Sequence, residues 1–430
     1  MPDLSIDFCG IKSPNPFWLA SGPPTNTGDQ IKRAFDTGWG GAVWKTIGNP
    51  VVNVNSRYAA MNLGRNKMAG LNNIELTTDR GMNANLKEMA DVKRQYPDHA
   101  LVASVIAETR EEWKEVIMRA EDAGADGIEL NFSCPHGMCE RGMGSAIGQE
   151  PAVAREITAW ARDAAKTPVL VKFTPNVSDI RDQGRTAMEG GADGVCLINT
   201  IKSIIGVDLE DFIPYPKLRN GSTNGGYCGP AVKPIALHMA AVLCREKEFT
   251  LPVSGIGGIS NWQDAAEFLA LGCSCVQVCT AVMHHGFGIV SPMIKGLTDY
   301  LTEKKMETVA DLYGRAVGNF REWGELDMNY RVVAGIDKKQ CTGCHKCYVA
   351  CRDGAYQAID LTAETTPRGI PIPRVARERC TGCNLCSLVC PVDCIEMEDV
   401  SRTKKIKTWQ EIVAAGEYQV TDGLYATVGD

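Results

Sequence analysis

The chain has 430 residues and a net charge of −7, with 44% hydrophobic and 23% charged residues, 43 glycines and 18 cysteines. The length exceeds one ordinary domain, and the apolar content excludes a disordered chain. The acidic balance leaves no footprint for nucleic acid or an anionic membrane, the start MPDLSIDF lacks the regions of a signal peptide, and the most apolar stretch, 268–283, is broken by Ser274, Gln277 and Thr280; a soluble, cytoplasmic protein is expected.

In chain order, β-branched or apolar runs predict strands at 17–20, 41–44, 101–105, 127–130, 168–171, 194–198, 252–254 and 275–278. Amphipathic stretches between them predict helices at 110–123, 151–165, 178–189, 232–245 and 261–271. Several end in a glycine that closes the helix before the next strand, as at Ala123-Gly124-Ala125 and Gly190-Gly191-Ala192. Eight such units within residues 1–305 predict an α/β fold, a (β/α)8 TIM barrel, with a doubly wound sheet as the competitor. The polar residues favour the barrel. Ser21-Gly22, Lys45-Thr46, Asn131, Lys172, Asn199-Thr200, Gly257-Gly258 and Cys279-Thr280 each follow an expected strand, where a barrel gathers its working groups. No GxGxxG, P-loop or HExxH occurs. Residues 306–332 predict a helical connector, 333–400 a cysteine-rich domain, and 401–430 a docking tail or a mobile end.

Nine cysteines lie before residue 341 and nine between Cys341 and Cys394. Cys341, Cys344, Cys347 and Cys351 have the spacing C-x2-C-x2-C-x3-C, and Cys380, Cys383, Cys386 and Cys390 repeat it before Pro391. This is the two-cluster pattern of bacterial ferredoxins, in which the fourth cysteine of each run ligates the other cluster. It assigns Cys341, Cys344, Cys347 and Cys390 to one [4Fe–4S] cluster, and Cys351, Cys380, Cys383 and Cys386 to a second, in a ferredoxin-like α+β domain. Two zinc sites are the alternative, but zinc usually pairs CxxC units across a longer gap. Cys394 falls outside the pattern and is expected to be a packing thiol.

An electron wire needs a terminus, which is sought at the barrel mouth. Gly257-Gly258 and Cys279-Thr280, after the seventh and eighth strands, suit a phosphate site. Lys45 and Lys172 at strand ends could stabilise an anion such as a reduced flavin. Asn73, Asn131 and Asn199 supply amides suited to a planar heterocycle with alternating N–H and C=O edges. Cys134, in the loop Asn131-Phe132-Ser133-Cys134-Pro135-His136-Gly137, could be a general acid, a nucleophile or an inert core residue. Arg141 and the glycines at 137, 142 and 144 suggest a mobile lid over it.

Taken together, Leu19-Ala20-Ser21-Gly22, Lys45-Thr46, Leu71-Asn72-Asn73-Ile74-Glu75, the 129–137 loop, Glu140-Arg141-Gly142-Met143-Gly144, Lys172-Phe173-Thr174-Pro175-Asn176 and Gly257-Gly258 resemble the dihydropyrimidine dehydrogenase family, in particular the iron–sulfur subunit of its bacterial NAD-dependent members. The related dihydroorotate dehydrogenases look similar in the barrel, but usually carry Asn where this chain has His136 and lack the fused clusters. The resemblance implies FMN held by Ser21, Lys45, Thr46, Lys172, Gly229, Gly257, Gly258, Cys279 and Thr280. It implies a pyrimidine held by Asn73, Asn131, Ser133, Asn199 and Thr200, with Cys134 as general acid. The implied reaction is reduction of the 5,6 double bond of uracil or thymine, with hydride from FMN to C6 and a proton from Cys134 to C5. NAD(P)H and FAD would lie on a flavoprotein partner subunit resembling PreT, and a homodimer within a heterotetramer is implied. A dihydroorotate-type oxidoreductase and an electron-transfer subunit with a vestigial barrel are the rivals.

Overall fold

A computed structural model describes residues 1–49, 51, 54–64, 67–135, 142–366, 368–402 and 405–417. The chain divides into two compact units, Met1–Phe320 and Arg321–Asp430.

In the first unit, among the described residues, eight parallel strands close into a barrel in sequence order. They are β1 (Phe17–Leu19), β2 (Gly41–Ile47), β3 (Ala100–Val105), β4 (Gly127–Phe132), β5 (Val169–Phe173), β6 (Gly194–Leu197), β7 (Val253–Ile256) and β8 (Cys275–Val278). Every expected strand is present, and the doubly wound alternative is excluded by closure between β8 and β1. The strands are buried on both faces, the burial a parallel barrel imposes and the reason they read as continuous apolar runs.

Local signals set the helices between them. Thr109 and Glu112 form a capping box at Arg110–Asp122, and Asn261 accepts from the backbone N–H of Asp264 at Trp262–Ala270. Gly124 and Gly191 have φ of +88° and +81° just past their helices, as the Gly-Ala signals predicted. A short antiparallel hairpin, Ile6–Phe8 with Ile11–Ser13, closes the end of the barrel where the strands begin. Its Cys9 Sγ lies 3.2 Å from the Asp193 carbonyl, just before β6.

One element was not anticipated. Segments Tyr58–Leu63 and Lys67–Asn73 after β2, and Ile201–Ser203 and Gly225–Cys228 after β6, form a four-stranded antiparallel sheet. Its strands are rich in Gly, Asn and Ala, so neither β-propensity nor alternation marked them.

The boundaries also differ from expectation. The predicted helical connector is three short 3-10 turns, Val309–Leu312, Val317–Asn319 and Trp323–Glu325, the first two in the barrel unit and the third in the second unit. Gly314, at φ +71°, and Gly318 interrupt the helical pattern there. Tyr313 donates its hydroxyl to the Ser274 carbonyl at 2.9 Å, which ties this stretch to the barrel.

In the second unit, Val332–Ile336 pairs with Ile395–Asp399 and Ile359–Thr365 with Pro371–Val375, around helices Lys346–Gly354 and Leu385–Leu388. The first part of the expected tail is folded: Met328 donates its backbone N–H to the Lys407 carbonyl at 2.9 Å, and helix Trp409–Ala414 follows a Thr408 cap. Among the described residues, no helix is long and apolar enough to cross a membrane.

Candidate active site and cluster sites

The C-terminal ends of the barrel strands enclose a cavity of about 640 Å³. Ser21 reaches it from the β1 loop, Lys45 and Thr46 from β2, Asn131 from β4, Cys134 from the loop after β4, and Lys172 from β5. Asn199 and Thr200 follow β6, Gly257 and Gly258 follow β7, and Cys279 and Thr280 follow β8. Asn73 and Gly229 come from the extra sheet and the turn after it. All of these expected site residues line the one cavity. Ser133 does not; its side chain is fully buried behind the wall. Of the loop that carried the resemblance most specifically, His136, Gly137, Glu140 and Arg141 lie outside the described residues.

Hydrogen bonds join the wall into one network. Thr46 Oγ1 meets Ser21 Oγ at 3.2 Å, Ser104 Oγ at 2.9 Å, and the Asn131 amide, which donates to it at 3.0 Å. Asn131 Oδ1 accepts from Ser133 Oγ at 2.9 Å and from the backbone N–H groups of Ser133 and Cys134, both at 3.2 Å. Asn199 donates to Ser133 Oγ at 2.7 Å. Ser133 therefore bridges two of the three asparagines instead of facing the cavity. Asn73 donates to the Gly226 carbonyl at 2.9 Å, which anchors it within the extra sheet. Cys134 packs beside Ile106, Met143 and Leu76, next to the cavity.

Charge in the wall is paired. Lys45 Nζ lies 3.3 Å from Glu75 Oε2, and Lys172 Nζ lies 3.6 Å from Glu129 Oε1, with little of any of these side chains exposed. Glu75 also accepts from Arg57 at 2.9 Å and from the Tyr58 hydroxyl at 2.7 Å. Burial pushes the Cys279 thiol up to about 12, so it stays protonated near neutrality. Tyr58, Glu75, Glu129 and Gln277 also line the cavity, beyond the site residues expected from the motifs. Glu129 and Gln277 sit at inward positions of predicted strands, so their polarity inside an apolar run was the available signal.

The cavity fits a phosphate-bearing flavin. Gly257 and Gly258 have φ of +130° and +74°, and a Cβ at Gly258 would stand 2.8 Å from the backbone nitrogen of Lys233. No side chain can occupy that turn, which leaves the backbone open to a phosphate. Two buried ammonium groups and a ring of amide and hydroxyl groups complete a donor set suited to a planar anion.

The second unit holds two smaller cavities. Cys341, Cys344, Cys347 and Cys390 line one; Cys351, Cys380, Cys383 and Cys386 line the other. The crosswise sharing expected from the spacing is therefore what the fold places together. Each run turns through a glycine and the residue after its second cysteine with positive φ: Gly343 and His345 at +69° and +60°, Gly382 and Asn384 at +75° and +66°. Four thiols arrayed around a void suit a polynuclear cluster better than one zinc. Cys394 also borders the first of these cavities, its Sγ 3.5 Å from that of Cys390.

Comparison with known proteins agrees with both units. Residues 3–301 match the family model described as dihydroorotate dehydrogenase, and residues 334–397 match a 4Fe-4S dicluster domain. The NAD-dependent dihydropyrimidine dehydrogenase subunit PreA of Escherichia coli (strain K12) is 40% identical over 404 residues, 94% of this chain and 97% of the relative. The chloroplastic dihydropyrimidine dehydrogenase (NADP(+)) of Arabidopsis thaliana is 42% identical over 76% of this chain and 79% of its own length. The catalytic subunit of dihydroorotate dehydrogenase B (NAD(+)) from Pyrococcus horikoshii is 38% identical, covering 73% of this chain and 98% of the relative.

Proposed function

Because this chain belongs to the dihydroorotate dehydrogenase family, and within it to the dihydropyrimidine dehydrogenases that carry a 4Fe–4S dicluster domain, we propose that it reduces the 5,6 double bond of uracil or thymine in the barrel cavity. It is an oxidoreductase with iron–sulfur clusters, and its family implies a flavin. The observation that carries the substrate reading is the convergence of Cys134, Asn73, Asn131, Asn199 and Thr200 on one wall-to-wall cavity. The coverage of relatives favours it over dihydroorotate chemistry. The dihydroorotate relative matches 73% of this chain, whereas the dihydropyrimidine relative matches 94% and extends across the cluster domain.

The barrel residues would hold FMN, which when bound would supply the two-electron hydride chemistry for C6 that single-electron clusters cannot. The Gly257-Gly258 turn, Gly229, Cys279 and Thr280 would hold its phosphate, and Ser21, Lys45, Thr46 and Lys172 would contact the rest of it. Cys134 gives a proton to C5, from a loop whose backbone Asn131 holds. Asn73, Asn131, Asn199 and Thr200 orient the heterocycle, and Ser133 keeps Asn131 and Asn199 in register. Cys341, Cys344, Cys347 and Cys390 ligate one [4Fe–4S] cluster, and Cys351, Cys380, Cys383 and Cys386 the other.

NAD(P)H is oxidised on an FAD-bearing flavoprotein partner resembling PreT, in a heterotetramer built on a dimer of this chain. The name of the Escherichia coli relative, a subunit, supports a partner. A cytoplasmic location suits a chain whose cysteines serve as cluster ligands and a proton donor.

The test is anaerobic reduction of uracil, thymine and orotate by the purified chain with an artificial electron donor, with FMN and iron quantified. Uracil or thymine reduction with bound FMN and about eight irons is expected. Reduction of orotate alone would overturn the substrate reading, clusters without flavin would leave the vestigial-barrel reading, and robust NADH-dependent turnover by the isolated chain would remove the partner.

A further inference from the structure

In the wall of the same cavity lies a set of polar side chains that neither the phosphate nor the pyrimidine reading uses. Glu129 in β4 and Gln277 in β8 are each 0% exposed, yet both border the cavity. Glu129 Oε1 and Gln277 Oε1 have no hydrogen-bond partner. Gln277 Nε2 lies 3.2 Å from Ser254 Oγ, 3.3 Å from Cys196 Sγ and 3.5 Å from Glu129 Oε2. The carboxylate sets that orientation, because turning the amide would bring two oxygens together.

A buried carboxylate is costly unless a cation offsets it. Lys172 supplies one, its Nζ 3.6 Å from Glu129 Oε1, beyond good hydrogen-bond length. Lys172 and Glu129 both line the cavity, so a group bound there meets the pair together.

We propose that Glu129 is a positioning residue that holds Lys172 at the cavity wall and, through its negative charge, lowers the reduction potential of the bound flavin. This rests on the reading that FMN occupies the barrel. Two-electron reduction of a flavin with uptake of one proton leaves one negative charge on it. Lys172 alone would favour that charge strongly. With Glu129 beside it the pair is close to neutral, the charge is favoured less, and the reduced flavin is a stronger hydride donor. The field acts with little reorganisation because both side chains are held in a buried wall.

The experiment equilibrates the full-length, cofactor-loaded chain anaerobically with dithionite and a reference redox dye, and reads the oxidised-to-reduced flavin ratio. Glu129→Gln keeps the shape and removes the charge. It is expected to shift the equilibrium about tenfold toward reduced flavin, close to 30 mV for a two-electron couple. Glu129→Asp keeps the charge and is expected to stay within about twofold of the parent protein. A purely structural role predicts the reverse order, with the isosteric Gln silent and the shortened Asp perturbing, and that order would overturn the proposal. Glu129→Met removes the charge with an apolar side chain of similar length and is expected to shift the ratio the same way, which keeps the test decisive if Glu129→Gln does not fold. Unshifted ratios in Glu129→Gln and Glu129→Met with FMN bound refute the role of Glu129 alone. Protein that contains clusters but no FMN refutes the barrel reading beneath it.

Discussion

The side-chain oxygen of Asn131 lies 3.2 Å from the backbone nitrogen of Cys134 and accepts its hydrogen. The same amide takes two more donors from Ser133 and gives its own N–H to Thr46 Oγ1. One side chain therefore ties the thiol loop to β2, and its four bonds are made within the protein. Asn131 shapes the loop at least as much as it offers contacts to a substrate.

Asn131→Ala is accordingly expected to do more than weaken substrate binding. Backbone donors at Ser133 and Cys134 would lose their partner inside a buried wall, at a cost of about 1–3 kcal/mol. Thermal unfolding should show the loss, and kcat should fall together with any change in KM, since Cys134 would no longer be held in place. A variant with unaltered stability and only a raised KM would contradict this.

Cys134→Ala is expected to lower turnover about 10²–10⁴-fold, the range for losing a positioned acid, while flavin and cluster absorption stay intact. The measurement is pyrimidine reduction under anaerobic conditions with an artificial donor. Near-normal rates would remove Cys134 from the proton step.

Gly258→Ala is expected to release FMN. The residue sits at φ +74°, and a Cβ would meet Lys233 backbone atoms at 2.8–2.9 Å. The left-handed conformation costs a non-glycine residue about 1–2 kcal/mol before the clash is counted. Flavin fluorescence in the filtrate of the purified variant reports the loss, and full retention of FMN would argue that the phosphate binds elsewhere.

The two fourth cysteines give a crossed result. Cys390→Ser should disturb the cluster held by Cys341, Cys344 and Cys347, and Cys351→Ser the one held by Cys380, Cys383 and Cys386. Pairing each with a second substitution in one run, Cys341→Ser or Cys380→Ser, and counting iron distinguishes the arrangement. The combination of Cys390→Ser with Cys341→Ser should cost one cluster, while that of Cys390→Ser with Cys380→Ser should damage both.

Stability should decline at alkaline pH. Burial, aided by Asp193 and Asp7, pushes the Cys9 thiol from 9.0 up to about 12. The unfolded chain loses this proton first, so it binds fewer protons than the native state between those values, and stability falls as pH rises from about 9 to about 12 at close to 1.4 kcal/mol per pH unit. Urea unfolding at a series of pH values should show a shallower alkaline limb in Cys9→Ala than in the parent. Identical slopes would place the proton release in other groups.

The cluster domain was the most legible part of the chain, because its ligands are fixed by short spacings that survive in one dimension. The barrel was nearly as legible, since buried parallel strands must be apolar on both faces and seven of the eight are followed by polar residues or glycines at the mouth. The extra sheet was not, because Gly- and Asn-rich segments pair there through backbone hydrogen bonds and their position in the fold. Neither was the role of Ser133, which a linear motif places beside Cys134 and the folded loop turns away from the cavity. By itself the sequence determined which groups exist for the chemistry: eight cluster thiols, a loop thiol, two strand-end lysines and a set of amides. Only the tertiary structure decided which of them meet. Glu129 and Lys172 are 43 residues apart and Gln277 is far from both, yet closure of the barrel brings their strands around one wall, where a low dielectric makes their mutual charge matter.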